Sequence, residues 1–162
     1  MDKELFHQHF ITLVETHSQS LAKLAFTYMK NMTDAEDIVQ DVFLTYYQKR
    51  PALQSDEHEK AWLIRATINR CKNQLKSVWR KKRSELSDTI PAPDSLPDSN
   101  LMEAVLSLKE IYRTPLHLYY FESYTTKEIA SILGIREAAA AKRIARARSK
   151  LKSALEEKGG PL

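Results

Sequence analysis

The chain has 162 residues, 43% of them hydrophobic, with 3 glycines, 6 prolines and one cysteine. That is enough apolar material for one medium core or two small ones and too little punctuation for many short strands, so the expected fold class is all-α. A formal net charge of +4 is modest, no apolar run approaches the roughly 20 residues of a membrane span, and the lone Cys71 excludes an intramolecular disulfide and makes a cysteine-based zinc site untenable.

The charges are unevenly placed. Residues 1–59 carry ten acids and five bases, residues 60–83 nine bases and no acid, residues 84–108 five acids and no base, and residues 136–152 seven bases against the single acid Glu137. Two basic blocks, each beside acidic sequence, point to two nucleic-acid contacts and at least one surface meant for something else.

In chain order, Leu5, Phe6, Phe10, Leu13, Val14, Leu21, Leu24, Ala25 and Tyr28 recur by threes and fours, predicting one or two amphipathic helices. His7, His9 and His17 fall in this ordinary helical stretch. Thr33 and Glu36 have the spacing of a capping box, so a second helix is expected to open there. It buries Ala35, Ile38, Val39, Val42, Phe43 and Tyr46 and presents Asp34, Asp37, Gln40 and Asp41 on its other side. Pro51 closes it, and residues 50–59 read as an exposed loop.

A third helix is predicted from about Glu59 to Arg83. Ala61, Ile64, Ile68, Cys71, Leu75 and Val78 form its buried stripe, which places Cys71 in the core. Beside that stripe run Arg65, Asn69, Lys72, Lys76 and Arg83, flanked by Asn73 and Arg80. Soluble helices normally mix charge signs to gain i,i+4 pairs. A cation and amide stripe without one acid in 24 residues therefore reads as a nucleic-acid contact. Trp62 is expected in the core, and Trp79 is compatible with either core or base stacking.

Residues 84–100 hold three prolines, four serines and three aspartates, the composition of an extended linker. The expected domains are thus 1–83 and 101–162, joined by 84–100. Beyond the linker, Leu101, Val105, Leu108 and Tyr112 mark one helix, and Thr114 followed by Pro115 predicts the start of another through Leu118, Tyr119 and Tyr120. A second capping box, Thr125 with Glu128, opens a helix whose Ile129, Ala130 and Leu133 face inward. Gly134 supplies a turn, Ile135 plugs it, and a last helix buries Ala140, Ile144, Ala147, Leu151 and Leu155. This is a helix-turn-helix pattern.

Four stretches, in order, resemble the extracytoplasmic-function (ECF, group IV) sigma factors of bacterial RNA polymerase. Residues 34–43 (DAEDIVQDVF) are similar to the family's polymerase-binding helix, residues 61–75 (AWLIRATINRCKNQL) to its helix reading the minus-ten promoter element, residues 84–100 to its interdomain linker, and residues 124–151 to its domain for the minus-thirty-five element. The resemblance implies that Asp34, Asp37, Gln40 and Asp41 bind core RNA polymerase. It places Asn69 and Asn73 at polar reading positions and makes the loop from Leu53 to Glu59 a pocket for an unstacked base, lined by Gln54, Ser55 and Asp56. Arg65, Lys72, Lys76 and Arg80 would then hold promoter DNA beside them.

For the upstream element, the run Ala138 to Ala141 departs from the family's polar pattern and leaves Arg136, Glu137, Lys142, Arg143 and Arg146 as candidates. With no side chains to hydrogen-bond along that run, the element would be read more through phosphates and DNA shape. The partners implied are core RNA polymerase, promoter DNA and an anti-sigma factor, in the cytoplasm and without membrane insertion. There is no glycine-rich phosphate loop, no spaced ligand set and no nucleophile with an evident base, so no cofactor and no enzymatic activity are expected. The alternative from the residues alone is a helix-turn-helix regulator that binds DNA without polymerase, which leaves the acidic face of residues 34–41 unexplained.

Overall fold

The structure, a computed structural model, describes residues 3–85 and 99–157, and among them every regular element is a helix. They are α1 (Lys3–Met29), α2 (Met32–Lys49), α3 (Asp56–Glu85), α4 (Ser99–Ser107), α5 (Glu110–Tyr120), α6 (Thr126–Leu133) and α7 (Glu137–Glu157). The chain divides into two compact units, Met1–Ala92 and Pro93–Leu162. Most of the predicted linker, residues 86–98, lies outside the described residues.

In the first unit each of α1, α2 and α3 packs on the other two. The stretch expected to form one or two helices is one, α1. It ends at Lys30, whose left-handed backbone (φ 59°) lets its N–H reach the Phe26 carbonyl at 2.9 Å. Asn31 follows in an extended conformation, and its side chain accepts from the Asp34 N–H at 3.0 Å. The cap of α2 is therefore Asn31 and not Thr33. A capping side chain placed directly after the turn starts the helix at once, and Thr33 falls inside its first turn.

The predicted α2 stripe, Ala35, Ile38, Val39, Val42, Phe43 and Tyr46, is buried in full. Arg50 closes α2 in a left-handed conformation with its N–H on the Tyr46 carbonyl at 2.8 Å, and Pro51 cannot continue the helix.

Helix α3 starts at Asp56, three residues before the expected Glu59, because Ser55 Oγ accepts from the His58 N–H at 3.2 Å. Asp56, Glu57 and Glu59 in its first turn suit the positive end of the helix dipole. Its core face is Leu63, Ile64, Thr67, Ile68 and Cys71, with Ala61 and Leu75 half-buried. Val78, expected inside, is exposed, because the packed part of α3 ends with Leu75.

In the second unit α4, α5 and α6 all pack on α7, around Leu108, Leu116 and Ala147 with Tyr112 and Leu151 against them. The helix expected through Leu101 to Tyr112 is two, α4 and α5, broken at Leu108. The Thr114–Pro115 pair does not open a helix. Instead α5 begins at Glu110 behind Lys109, and Pro115 sits inside it, buried with Thr114 and Leu116. One lost backbone bond at Pro115 is offset by burial of this whole turn. The buried Arg113 guanidinium donates to the carbonyls of Leu106 at 3.2 Å and Leu108 at 2.8 Å, satisfying acceptors orphaned at the end of α4.

Candidate nucleic-acid and protein interfaces

Along α2 the buried stripe turns Asp34, Asp37 and Gln40 outward and leaves Asp41 partly covered. Asp41 Oδ2 accepts from Arg70 Nη2 of α3 at 2.9 Å. Leu44, one turn beyond Gln40 and Asp41, is 55% exposed. The acidic face thus carries an apolar residue that sequence reading had not singled out. Period alone could have found it, since Leu44 falls out of phase with the core stripe.

On α3 the residues Arg65, Asn69, Lys72, Asn73, Lys76 and Arg80 are all exposed, on the side away from Leu63, Ile64, Ile68 and Cys71. The helix therefore does assemble the cations and amides into one accessible strip about 22 Å long. Arg70 lies outside that strip, on a flank of α3 from which it reaches Asp41 of α2.

Between α1, the end of α2 and the start of α3 lies a cleft of about 580 Å³. Gln54, Ser55 and Asp56 line it, together with Phe6, His9, Arg50 and Glu59. Ser55 and Asp56 are nevertheless not a free loop: Ser55 caps α3 and Asp56 is its first residue.

Glu59, only 7% exposed, anchors the cleft floor. Its Oε2 lies 2.7 Å from His9 Nε2 and accepts a hydrogen bond from the Tyr46 hydroxyl. Burial above all, then this hydrogen bond and the charge of Glu59, push the Tyr46 phenol far above its ordinary value. Arg50 lies over the Phe6 ring at 4.3 Å from its centroid, a cation–π contact that holds the guanidinium at the cleft wall. Trp62, expected in the core, meets Tyr46 edge to face at 5.5 Å but is only half-buried, and Trp79 is 66% exposed.

In the second unit the Thr125–Glu128 capping box is closed in both directions, at 3.0 and 3.1 Å. Gly134 caps α6 at φ 68°, and Ile135 N–H returns to the Ala130 carbonyl at 3.0 Å. Ile132 is buried here where Leu133 was expected, with Leu133 and Ile135 half-buried.

Arg136, just before α7, is exposed, as are Glu137, Lys142 and Arg146 of the helix, and Arg143 is half-buried. The alanine run is not one surface: Ala140 is fully buried, Ala139 half-buried, and Ala138 and Ala141 face out beside Lys142. Arg148 lies over Tyr119 and Tyr120, 5.3 and 5.1 Å from their centroids. Among the described residues no group of three or more His, Cys, Asp and Glu is placed to hold a metal ion, and no helix is long and apolar enough to cross a membrane.

Comparison with known proteins gives both units a counterpart. Residues 13–81 match the family Sigma-70 region 2 and residues 98–151 the family Sigma-70, region 4. The chain is 30% identical to RNA polymerase sigma factor SigV of Bacillus subtilis over 129 residues, 76% of this chain and 77% of that protein. It is 26% identical to the ECF RNA polymerase sigma factor SigM of Mycobacterium tuberculosis, over 93% of this chain and 82% of that one. In fold it is similar to the sigma factor RpoE of Bartonella quintana, solved in complex with the anti-sigma factor NepR. The TM-score is 0.81 at 22% identity, covering 92% of this chain and 98% of that chain.

Proposed function

This chain belongs to the RNA polymerase sigma factors, and from that premise we propose a division of labour among its exposed faces within the extracytoplasmic-function (group IV) class. A sigma factor binds core RNA polymerase and directs promoter recognition and the initiation of transcription. Sigma factors are not an enzyme family, and no residue is assigned a catalytic role.

In our reading, Asp34, Asp37, Gln40 and Asp41 of α2 dock on core polymerase, with Leu44 supplying the apolar contact that a purely charged surface lacks. Charge steers the encounter, while the buried apolar group adds affinity. Arg65, Lys72, Lys76 and Arg80 of α3 hold the phosphates of the downstream promoter element. Asn69 and Asn73 contact its bases, each able to donate and accept along a base edge.

The cleft beside α3 takes an unstacked base. Opening a step costs a few kcal/mol, so a preformed receptor for the exposed base favours the open form. Gln54, Ser55 and Asp56 border that receptor, and Glu59, fixed by His9 and Tyr46, forms its floor.

Helix α7 enters the major groove of the upstream element, with Arg136, Lys142, Arg143 and Arg146 on phosphates or guanine edges and Glu137 in position to accept from cytosine. The outward alanines, Ala138 and Ala141, offer no hydrogen bond and suit apolar contact with thymine methyl groups. The protein acts in the cytoplasm. An anti-sigma factor that covers these charged faces completes the proposed partners, by analogy with the fold shared with the NepR-bound sigma factor.

One observation carries this reading: α3 displays a continuous cation and amide strip in the same unit as the acidic, leucine-bearing face of α2. The test is binding of the purified protein to bacterial core polymerase, followed by selection of transcribed templates from a random promoter library. Enrichment of a two-part promoter supports the assignment. Duplex binding by the isolated protein with no affinity for core would replace it with a helix-turn-helix regulator.

A further inference from the structure

Beyond Leu75 the described part of α3 turns no side chain into the core of its unit. Among the described side chains after Leu75, all six from Lys76 to Lys81 are exposed. Within this stretch Trp79 is 66% exposed, the most open of the large apolar side chains described. An exposed leucine needs no explanation, but a tryptophan offers water a large apolar face and is concentrated where proteins bind something.

Its helical phase says more. Trp79 follows Lys72 by seven residues and Leu75 by four, so it lies where the edge of the cation strip meets the outward extension of the buried stripe, with Lys76 one turn before it and Arg80 the next residue in the chain. Residues 60–83 contain nine bases and no acid, so the surroundings of this ring are suited to a polyanion and unsuited to a basic or neutral protein groove. Aromatic rings set among cations on an exposed track are the pattern of strand-binding surfaces, where the ring stacks on a base and the cations follow the backbone.

We propose that Trp79 is a promoter contact, stacking on a nucleotide of the strand that α3 follows, with Lys76 and Arg80 on the adjoining phosphates. This rests on the assignment of the α3 strip to promoter DNA. Ten residues of helix separate Trp79 from Asn69, about 15 Å. At about 3.4 Å per base pair the ring meets the promoter roughly four nucleotides from the base nearest Asn69. Trp79 thereby lengthens the footprint of α3 and favours one register of the strand over its neighbours.

The test uses holoenzyme reconstituted from bacterial core polymerase and the full chain, as wild type, Trp79→Ala and Trp79→Phe, on a promoter enriched by the wild type. Binding is read on fluorescent fork-junction templates carrying a single abasic site at successive positions, with core affinity measured in parallel. Trp79→Ala should bind the intact template about tenfold more weakly and Trp79→Phe within about threefold of wild type, both with unchanged core affinity. One abasic position, about four nucleotides from the one sensitive to Asn69→Ala, should weaken the wild type and leave Trp79→Ala unaffected.

Loss of core affinity in Trp79→Ala would place the ring against polymerase and overturn the proposal, as would template binding equal to wild type. If wild-type holoenzyme enriches no promoter, the assignment of α3 falls and this contact with it. If it does and Trp79→Ala behaves normally, only the contact falls.

Discussion

Asp41 and Arg70 are 29 residues apart in the chain and meet at 2.9 Å, joining α2 to α3 on the surface of the first unit. The two side chains remain about half exposed, so water and salt screen the pair, and its contribution to stability is about 0–1 kcal/mol. Its effect is instead on position: Arg70 draws one oxygen of Asp41 toward α3 and away from the face that carries Asp37 and Gln40. Replacing Arg70 by Ala should leave urea unfolding nearly unchanged, within about 1 kcal/mol, while altering affinity for core polymerase. A large loss of stability would mean that the pair is a structural tie instead.

The faces of α2 and α3 should separate in function. Asn69→Ala is expected to reduce promoter opening about tenfold or more, one base contact being worth about 1–3 kcal/mol, with core affinity retained. Asp41→Ala should weaken core binding and leave the melting of a promoter by saturating holoenzyme intact. Titration of labelled core and permanganate footprinting separate the two. Equal losses of core affinity in both variants would contradict the assignment.

The Tyr46 phenol supplies a pH signature for the cleft floor. Its folded pKa lies well above the ordinary 10.0, raised by burial and then by Glu59. Below about pH 10 both folded and unfolded chains keep the proton. Above it the unfolded chain releases the proton while the folded chain holds it, so the folded state binds more protons and stability falls as pH rises. Unfolding of the wild type and of Tyr46→Phe should therefore differ by about 1 kcal/mol at neutral pH. That difference should shrink or reverse above about pH 10, and a constant difference would show that the phenol is not held by this environment.

In the second unit the alanine run provides a contrast. Ala140 is fully buried and Ala141 is exposed. Ala140→Lys adds three methylenes and an ammonium to a site within the core and should destabilise by about 3 kcal/mol or more. Ala141→Lys should change stability by no more than about 0.5 kcal/mol and alter only affinity for the upstream element. Thermal unfolding followed by binding to an upstream-element duplex measures both.

Gly134 isolates the backbone contribution to the turn. Its φ is +68°, and a Cβ there would meet nothing within 4 Å. Gly134→Ala should thus cost only the left-handed strain, about 1–2 kcal/mol, read as a lower melting temperature with unchanged helicity. A loss beyond that would mean the turn repacks rather than strains.

Where α1, α2, α3, α6 and α7 lie was legible in the sequence because burial follows from local periodicity, whereas α4 and α5 divide elsewhere than the pattern put them. The α2 stripe from Ala35 to Tyr46, the Thr125–Glu128 box and the left-handed Gly134 all depend on residues within a turn or two of one another, and each stands where the pattern put it. The charge blocks were legible for a related reason: with nine bases and no acid between 60 and 83, whatever face of that helix the packing leaves open is cationic.

Only the tertiary structure decided the rest. Asn31 displaced Thr33 as a cap, and Ser55 started α3 three residues early, because a cap is chosen by the turn that precedes it. Pro115 lies inside α5 because burial of that turn outweighs one missing backbone bond. The pairing of Arg70 with Asp41, and of Glu59 with both His9 and Tyr46, joins positions 13 to 50 residues apart. No periodicity of one helix specifies which residue of another will face it. Likewise Val78 and Trp79 carry a core-like chemistry on a helix whose partners end at Leu75. Burial is a property of what lies opposite a residue, and that is set by the packing of whole helices.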